Sequence, residues 1–336
     1  MILSKSQHQA LIRKGSECFR QLKSEMEINK DRWINEFVLC MQDYCKKIIK
    51  MQQAGLKDAI GYLNLSLLRT KLLSGENHIR LDAYNDRWYL DRIECAGTYE
   101  VSHFYGRLRE VIVLLEKLRR ETFNSLTLGE IHELFFHESY RYFVTVSEFL
   151  REAIKKVVKT EEYQAVKRAS LFHIYFGEYQ GALTIIYKED NEPKESKVVK
   201  RYLESKQEVY TYEFCDNLDL SGGNFENIMI THSSFAKCNF DMSNWQGSKM
   251  LLCEFKSALF RHTDFNYTEL TKLDFSDATL EFVSFRGAKI KNTIFRNATL
   301  IGIDFSEVLI LEDVDFENVT LIGSALPNPS TKEVLP

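Results

Sequence analysis

The sequence predicts an α+β protein in which a helical N-terminal domain precedes a four-sided β-solenoid. Three observations support this fold class. Apolar residues recur every five positions from 220 to 310, the four prolines all lie at or after Pro193, and apolar and polar residues alternate around 170–188. A five-residue period fits neither a helix nor a flat strand, whereas proline-free sequence is compatible with long helices.

The N-terminal domain is predicted at 1–165 from helical spacing of apolar residues. Thr127 and Glu130 have the spacing of a capping box, which predicts the start of a helix that reaches about residue 160. The other elements expected in this domain are two helices over 4–54, a buried helix over 56–73, a short hairpin over 76–90 and a helix from Asp91 to about Glu121.

Residues 166–214 are predicted to hold a β-hairpin, a charged linker and a cap for the solenoid. Apolar residues alternate on both sides of a loop between Gly177 and Gly181, which is typical of a hairpin. The charged segment 188–200 contains Pro193 and is expected to be a loop. Either the hairpin or the segment that follows it should cover the open first coil, because an exposed solenoid end invites edge pairing.

The solenoid is predicted at 215–326, with about five coils. Nineteen consecutive multiples of five, from Leu220 to Ile310, are apolar. When they are sorted at a period of twenty, two of the four columns are aromatic, which indicates stacked ladders inside square coils. The predicted ladder residues are Phe225, Trp245, Phe265, Phe285 and Phe305 in one column and Phe235, Phe255, Phe275 and Phe295 in the other.

The period slips by one residue after Ile310, because the next inward residues are Phe316 and Leu321. One extra residue is therefore expected to bulge out between Leu311 and Val314. The tail at 327–336 is expected to be disordered.

Asp or Asn often precedes the central apolar residue of a repeat, at Asp219, Asn224, Asn239, Asn244, Asp264, Asp274 and Asp304. Over 217–326 this pattern resembles the pentapeptide-repeat family. The resemblance implies a right-handed quadrilateral β-helix, and it implies no particular activity.

Composition and charge limit the function classes. Apolar residues make up 44% of the chain and charged residues 27%, as in soluble proteins. Residues 1–215 carry 34 basic and 31 acidic residues, a net +3, whereas 216–326 carry 9 and 16, a net −7. No apolar run reaches the ~18 residues of a membrane span, and no secretory signal is present. The 7 cysteines contain no CxxC pair, so reduced thiols in the cytoplasm are expected.

No motif in the sequence predicts catalysis, a cofactor or a metal site. His132 and His137 are five residues apart, so they miss the zinc-protease spacing of four, and Cys40 and Cys45 miss the zinc spacing. Basic residues are the candidate partner-binding groups, although a solvated helix face also explains those of the N-terminal domain. They are Arg107, Arg109, Lys117, Arg119 and Arg120 in that domain and Arg286, Lys291 and Arg296 in the solenoid.

The sequence therefore predicts a non-enzymatic protein-protein interaction or scaffold protein, with a protein partner of unknown identity and no direct nucleic-acid binding. One alternative follows from the resemblance: some pentapeptide-repeat proteins are DNA mimics that bind DNA gyrase and protect it from quinolones or peptide toxins. A duplex as long as five coils, ~24 Å, carries ~14 negative charges, whereas 216–326 has a net charge of −7. The second alternative is a toxin or effector whose activity lies in the helical domain. The oligomeric state is left open.

Overall fold

The computed structural model describes residues 5–121, 126–206, 209–324 and 326. The chain divides after Asn191 into two compact units, which are described separately. The N-terminal unit contains long helices, as predicted, together with a sheet, and the C-terminal unit is a β-solenoid. The predicted disordered tail at 327–336 lies outside the described residues.

The N-terminal unit packs helices against a five-stranded sheet. The strands have the order β3-β2-β1-β4-β5, and β1 and β4 are parallel whereas the other neighbours are antiparallel. Its elements are α1 Lys5–Gln53, β1 Ile60–Leu67, α2 Arg69–Ser74, β2 His78–Tyr84, a 3-10 helix Trp88–Leu90, β3 Ala96–Glu100, α3 Ser102–Tyr105, α4 Leu108–Glu121, α5 Leu128–Val157, α6 Glu161–Ala165, β4 Arg168–Glu178 and β5 Leu183–Asp190.

The buried helix predicted over 56–73 was wrong, because its first half is the strand β1. Leu63 and Leu65 point into the main core with the apolar side chains of β2 and β4. The residues between them, Asn64 and Ser66, are also buried, on the opposite face of the sheet. The alternation L-N-L-S-L is thus a strand pattern, and pairing with β4 on one side and β2 on the other fixes it.

Three other N-terminal predictions need correction. The two helices predicted over 4–54 are the single helix α1, since no proline or turn residue interrupts it. The strand β2 pairs with β1 and β3, and the expected return strand of its hairpin is the 3-10 helix Trp88–Leu90. The helix predicted from Asp91 begins only at Leu108, because β3 and α3 precede it.

The predicted capping box at Thr127 is confirmed. The Glu130 backbone N–H donates to Thr127 Oγ1 at 3.2 Å, and the Thr127 backbone N–H donates to Glu130 Oε2 at 2.7 Å. The helix α5 follows it and ends at Val157, close to the predicted residue 160.

The predicted hairpin is also present, as β4 and β5. It does not cover the solenoid, however, because β4 completes the N-terminal sheet by pairing with β1. The N-terminal unit therefore extends to Asn191, beyond the boundary of 165 that the helical pattern suggested.

The C-terminal unit begins with one helix and continues as short parallel strands. Successive strands of the same sheet are separated by 20 residues, one full coil. One sheet has six strands, β6-β7-β8-β10-β12-β14, and the other has four, β9-β11-β13-β15, which gives about six coils where about five were predicted. The elements are α7 Ser196–Glu204, β6 Tyr210–Thr211, β7 Met229–Thr231, β8 Lys249–Leu251, β9 Leu259–Arg261, β10 Glu269–Thr271, β11 Thr279–Glu281, β12 Lys289–Lys291, β13 Thr299–Ile301, β14 Ile310–Glu312 and β15 Thr320–Ile322.

The first coil is covered by α7, a helix in the segment that was expected to be a charged loop. Val199 and Leu203 of α7 belong to the solenoid core. The backbone N–H of Asp219 donates to Ser196 Oγ at 2.9 Å, and that of Asn224 donates to Glu204 Oε1 at 3.0 Å. The helix thus satisfies backbone donors of the first coil that have no preceding coil to pair with.

The one-residue slip lies earlier than predicted. Ile290 pairs with Leu311, 21 residues later, whereas Leu270 pairs with Ile290. Leu311 is therefore the inward residue of this coil in place of Ile310, and the extra residue sits at the preceding corner, where Leu309 is 64% exposed. A corner absorbs the insertion because it has no strand pairing to lose.

Candidate interaction surfaces

The interior of the solenoid is a set of stacked rings. The nine aromatic residues of the predicted ladders are at most 3% exposed. In one column the centroids of Phe255 and Phe275 are 5.2 Å apart and those of Phe275 and Phe295 are 5.0 Å apart. In the other column Trp245 stacks on Phe265 at 6.0 Å. These rings fix the shape of the coils and present no chemistry to solvent, so the sites of interaction lie on the outside.

The charges outside the solenoid pair between successive coils. Lys291 lies 2.7 Å from Glu312, and Arg296 lies 2.7 Å from Asp315 and 3.0 Å from Glu317. Because one coil takes 20 residues, the basic stretch 286–296 lies directly against the acidic stretch 307–317 and neutralises much of its field.

Arg286, Lys291 and Arg296 do not form one basic patch. Five residues span one side of a coil, so the three side chains project from three consecutive sides. Arg286 also has an acidic neighbour on the next coil, with its Nε 3.8 Å from Glu307 Oε2. As candidate partner-binding residues they can contribute only to the edges of separate surfaces.

One side of the solenoid is almost free of charge, and we call it the threonine face. It consists of the outward side chains of β11, β13 and β15 and of the corners that follow them. Among these described residues Glu281 is the charged one, and its carboxylate lies 3.3 Å from Arg261. Phe282 and Ile322 are each 53% exposed. The members are Thr279, Glu281, Phe282, Thr299, Ile301, Gly302, Thr320, Ile322 and Gly323.

The corner beside the threonine face carries a bulky ring in an unfavourable conformation. Phe282 has a φ of 51°, in the left-handed region that favours Gly, Asn and Asp. Its ring stacks on His262, with centroids 5.3 Å apart, and covers Gly302 of the next coil, where an added Cβ would approach the ring to 2.5 Å. A residue that costs backbone energy and leaves half of its ring in water contributes little to folding, which points to a role at a surface.

The basic residues predicted on the N-terminal unit are largely engaged within it. Arg107 donates to Gln21 Oε1 at 2.9 Å and pairs with Glu25 on α1, and Arg119 Nε donates to the Leu126 carbonyl at 3.1 Å. The other three, Arg109, Lys117 and Arg120, are exposed on α4, where Glu110, Val113 and Glu116 are also exposed. Their surface is therefore mixed in charge.

The second face of the N-terminal sheet is a site that the sequence prediction missed. It carries Tyr62 and Asn64 from β1 and His173 and Tyr175 from β4, and Tyr62 pairs with His173 and Asn64 with Tyr175 in the register of the two strands. The ring of Trp88, in the loop 85–95, lies 4.1 Å from that of Tyr62. The alternation of apolar and polar residues in β1 and β4 would have revealed this face if 56–73 had been assigned to a strand.

Buried groups hold the loop 85–95 on this face. Lys57 Nζ lies 2.7 Å from Asp91 Oδ2, with both side chains at most 3% exposed, and Asp91 also accepts from the backbone N–H of Asn85 and of Ile93. Burial acts to raise the pKa of Asp91, but the hydrogen bonds from Lys57 and from the two backbone N–H groups outweigh it and hold the pKa below its ordinary value.

A five-residue repeat, four-sided coils and stacked inward rings define the C-terminal unit as a pentapeptide-repeat solenoid. In agreement, residues 253–292 and 274–309 match the family model described as pentapeptide repeats, with 8 copies. No significant match to this chain was found among curated proteins.

Three similar solved structures are pentapeptide repeat proteins or related resistance proteins. A pentapeptide repeat protein from the thylakoid lumen of Arabidopsis thaliana is 16% identical, with 32% of this chain and 73% of that chain covered and a TM-score of 0.28. A trypsin-treated variant of QnrB1, a plasmid-mediated fluoroquinolone resistance protein, is 16% identical, with coverages of 34% and 74% and a TM-score of 0.23. HetL, involved in heterocyst differentiation regulation in a Nostoc cyanobacterium, is 10% identical, with coverages of 39% and 94% and a TM-score of 0.19.

Two classes of site are not seen in the part of the chain that the structure describes. Its helices include none with the length and apolar character needed to cross a membrane. Within 5–121, 126–206 and 209–324, no three His, Cys, Asp or Glu side chains come together as a metal-binding group.

Proposed function

We propose that the protein is a non-catalytic interaction protein and that the threonine face of its solenoid binds a protein partner. The observation that carries the proposal is the combination of low charge and exposed apolar groups on this face. Charged residues are depleted from the centres of protein interfaces, where aromatic residues are enriched. Phe282 and Ile322, both 53% exposed, supply the apolar contacts.

The rigidity of the solenoid supports the same function. The interior ladders and the strand pairing hold the outward side chains at fixed spacings, so a partner meets a preorganised surface. Repeat folds commonly act through such extended surfaces. The three threonines, Thr279, Thr299 and Thr320, add hydroxyl donors and acceptors along the face, which suits specific contacts with a polar backbone.

Mimicry of DNA towards gyrase is less well supported. A phosphate mimic needs a continuous negative surface, whereas the acidic stretch 307–317 is paired with Arg286, Lys291 and Arg296 on the preceding coil. A gyrase supercoiling assay with the full chain, with and without a quinolone, tests this alternative. Inhibition or protection at equimolar protein would favour mimicry over the threonine face.

Site-specific photo-crosslinking tests the proposal. The full chain carries a benzophenone amino acid at position 282 or, as a matched control, at position 272, which occupies the same corner phase after β10 on the other sheet. In an extract of the source organism we expect a discrete protein adduct from position 282 and none from position 272. Equal adducts from both positions, or none from position 282, would contradict the proposal.

A further inference from the structure

The second face of the N-terminal sheet buries polar side chains that an ordinary core would exclude. Asn64 is 1% exposed and His173 is 9% exposed. Both are at the centre of the sheet, on the adjacent strands β1 and β4. Buried polar groups are normally hydrogen-bonded, because leaving one unpaired costs about 1–3 kcal/mol.

Three polar atoms on this face are buried without a hydrogen-bond partner among the described residues. They are the acceptor Asn64 Oδ1, the donor Trp88 Nε1 and the ring nitrogen His173 Nδ1. The amide nitrogen of Asn64 does have a partner, since it lies 3.3 Å from the Tyr89 hydroxyl. The unmatched atoms are therefore a selected subset of the polar groups here, and they come from three separate elements.

The same atoms lie among stacked aromatic rings. The Tyr62 ring is 4.1 Å from Trp88 and 5.7 Å from His173, and the Trp88 ring is 5.0 Å from Tyr175. Base–aromatic stacking contributes about 1–3 kcal/mol per base. A planar ligand would find both stacking partners and hydrogen-bonding atoms in this cluster.

The loop that covers the face is strained where it meets the rings. Trp88 has a φ of 52°, in the left-handed region, although it is a bulky residue. The loop is held closed from below by the ion pair between Lys57 and Asp91. Strained residues that the surrounding structure holds in place cluster at ligand clamps, and Trp88 has this character.

We propose that this face binds the base of a nucleoside, a neutral planar heterocycle that carries both hydrogen-bond donors and acceptors. Trp88 Nε1 donates to the base, Asn64 Oδ1 accepts from it, and His173 Nδ1 completes its edge. A neutral ligand fits because the neighbouring charges are already paired: Arg80 Nε lies 2.8 Å from Asp82 Oδ2, and Lys188 lies 3.4 Å from Asp190. The proposal is independent of the function proposed for the solenoid.

Titration of the full chain with adenosine, guanosine, cytidine and uridine tests the proposal. Isothermal calorimetry measures affinity, and tryptophan fluorescence reports a change around Trp88. We expect saturable binding of at least one nucleoside with one site per chain. Asn64→Leu and Trp88→Phe should each weaken that binding roughly tenfold or more, since each removes one hydrogen-bonding atom from a buried site.

His103→Gln is the matched control. His103 also has a buried ring nitrogen without a partner among the described residues, but it packs against Trp33 and Phe104 in another part of the unit. Its binding should equal that of the unaltered chain, and thermal unfolding verifies that each variant is folded. The proposal is overturned if no nucleoside binds the unaltered chain at millimolar concentration, in which case water satisfies the three atoms. It is also overturned if folded Trp88→Phe binds as tightly as the unaltered chain.

Discussion

Truncation of one ring inside the ladder gives the most direct measure of what stabilises the solenoid. Phe275 is fully buried, and its ring stacks between Phe255 at 5.2 Å and Phe295 at 5.0 Å. Phe275→Ala removes both stacked contacts and leaves a cavity that the rigid coils cannot close. Such substitutions cost about 3–5 kcal/mol. Phe282→Ala is the matched control, and it should cost about 1 kcal/mol or less because half of that ring is already in water.

The measurement is native-state hydrogen exchange of peptides that cover β8 to β12. Two units can unfold separately, so a single transition of the whole chain would not isolate the solenoid. A loss of about 3–5 kcal/mol corresponds to exchange that is faster by roughly 10²–10³-fold where global opening of the unit governs exchange. Peptides from α5 should be unaffected. Equal acceleration in the Phe275 and Phe282 variants would refute the assignment of inward and outward positions.

The remaining predictions concern charged pairs. Lys57→Met should destabilise the N-terminal unit by about 3–5 kcal/mol, because it leaves the carboxylate of Asp91 buried and unpaired, and urea unfolding followed by circular dichroism would measure it. Because the pKa of Asp91 is lower in the folded protein than in the unfolded chain, its stabilising contribution should be complete above about pH 4 and lost as the pH falls through the folded value, a dependence that Asp91→Asn should remove. Arg296→Ala breaks exposed pairs with Asp315 and Glu317, so it should cost at most about 1 kcal/mol, and a cost that persists in 1 M salt would contradict a simple surface ion pair.

The solenoid was predictable because its structure is written at a fixed spacing. Each side of a coil contributes one inward residue, so Phe255, Phe275 and Phe295 could be assigned to one column without knowledge of any distant contact. The position of the extra residue was not predictable in the same way. Ile310 and Leu311 are both apolar, and only the pairing of Ile290 with Leu311 decides which of them points inward.

The N-terminal sheet depends on contacts that no local pattern contains. Residues 56–73 are apolar enough for a buried helix, and their strand character comes from parallel pairing with β4, where Tyr62 meets His173. Such long-range pairing overrides local propensity. The candidate site on the second face of the sheet follows from the same pairing, because Asn64, Trp88 and His173 come together only when two strands and a loop are in place.

The repeat itself explains where specificity in the C-terminal unit must lie. Inward positions are constrained by stacking, and most corners carry the Gly, Asn or Asp that a positive φ favours, so neither can distinguish one partner from another. Departures from the repeat have no such structural cause. Phe282 occupies a left-handed corner where a small residue would be less strained, and Leu309 lies at the corner that holds the extra residue. Both expose apolar surface at some cost to the fold, which is the pattern expected when contact with a partner, rather than stability, has determined the residue.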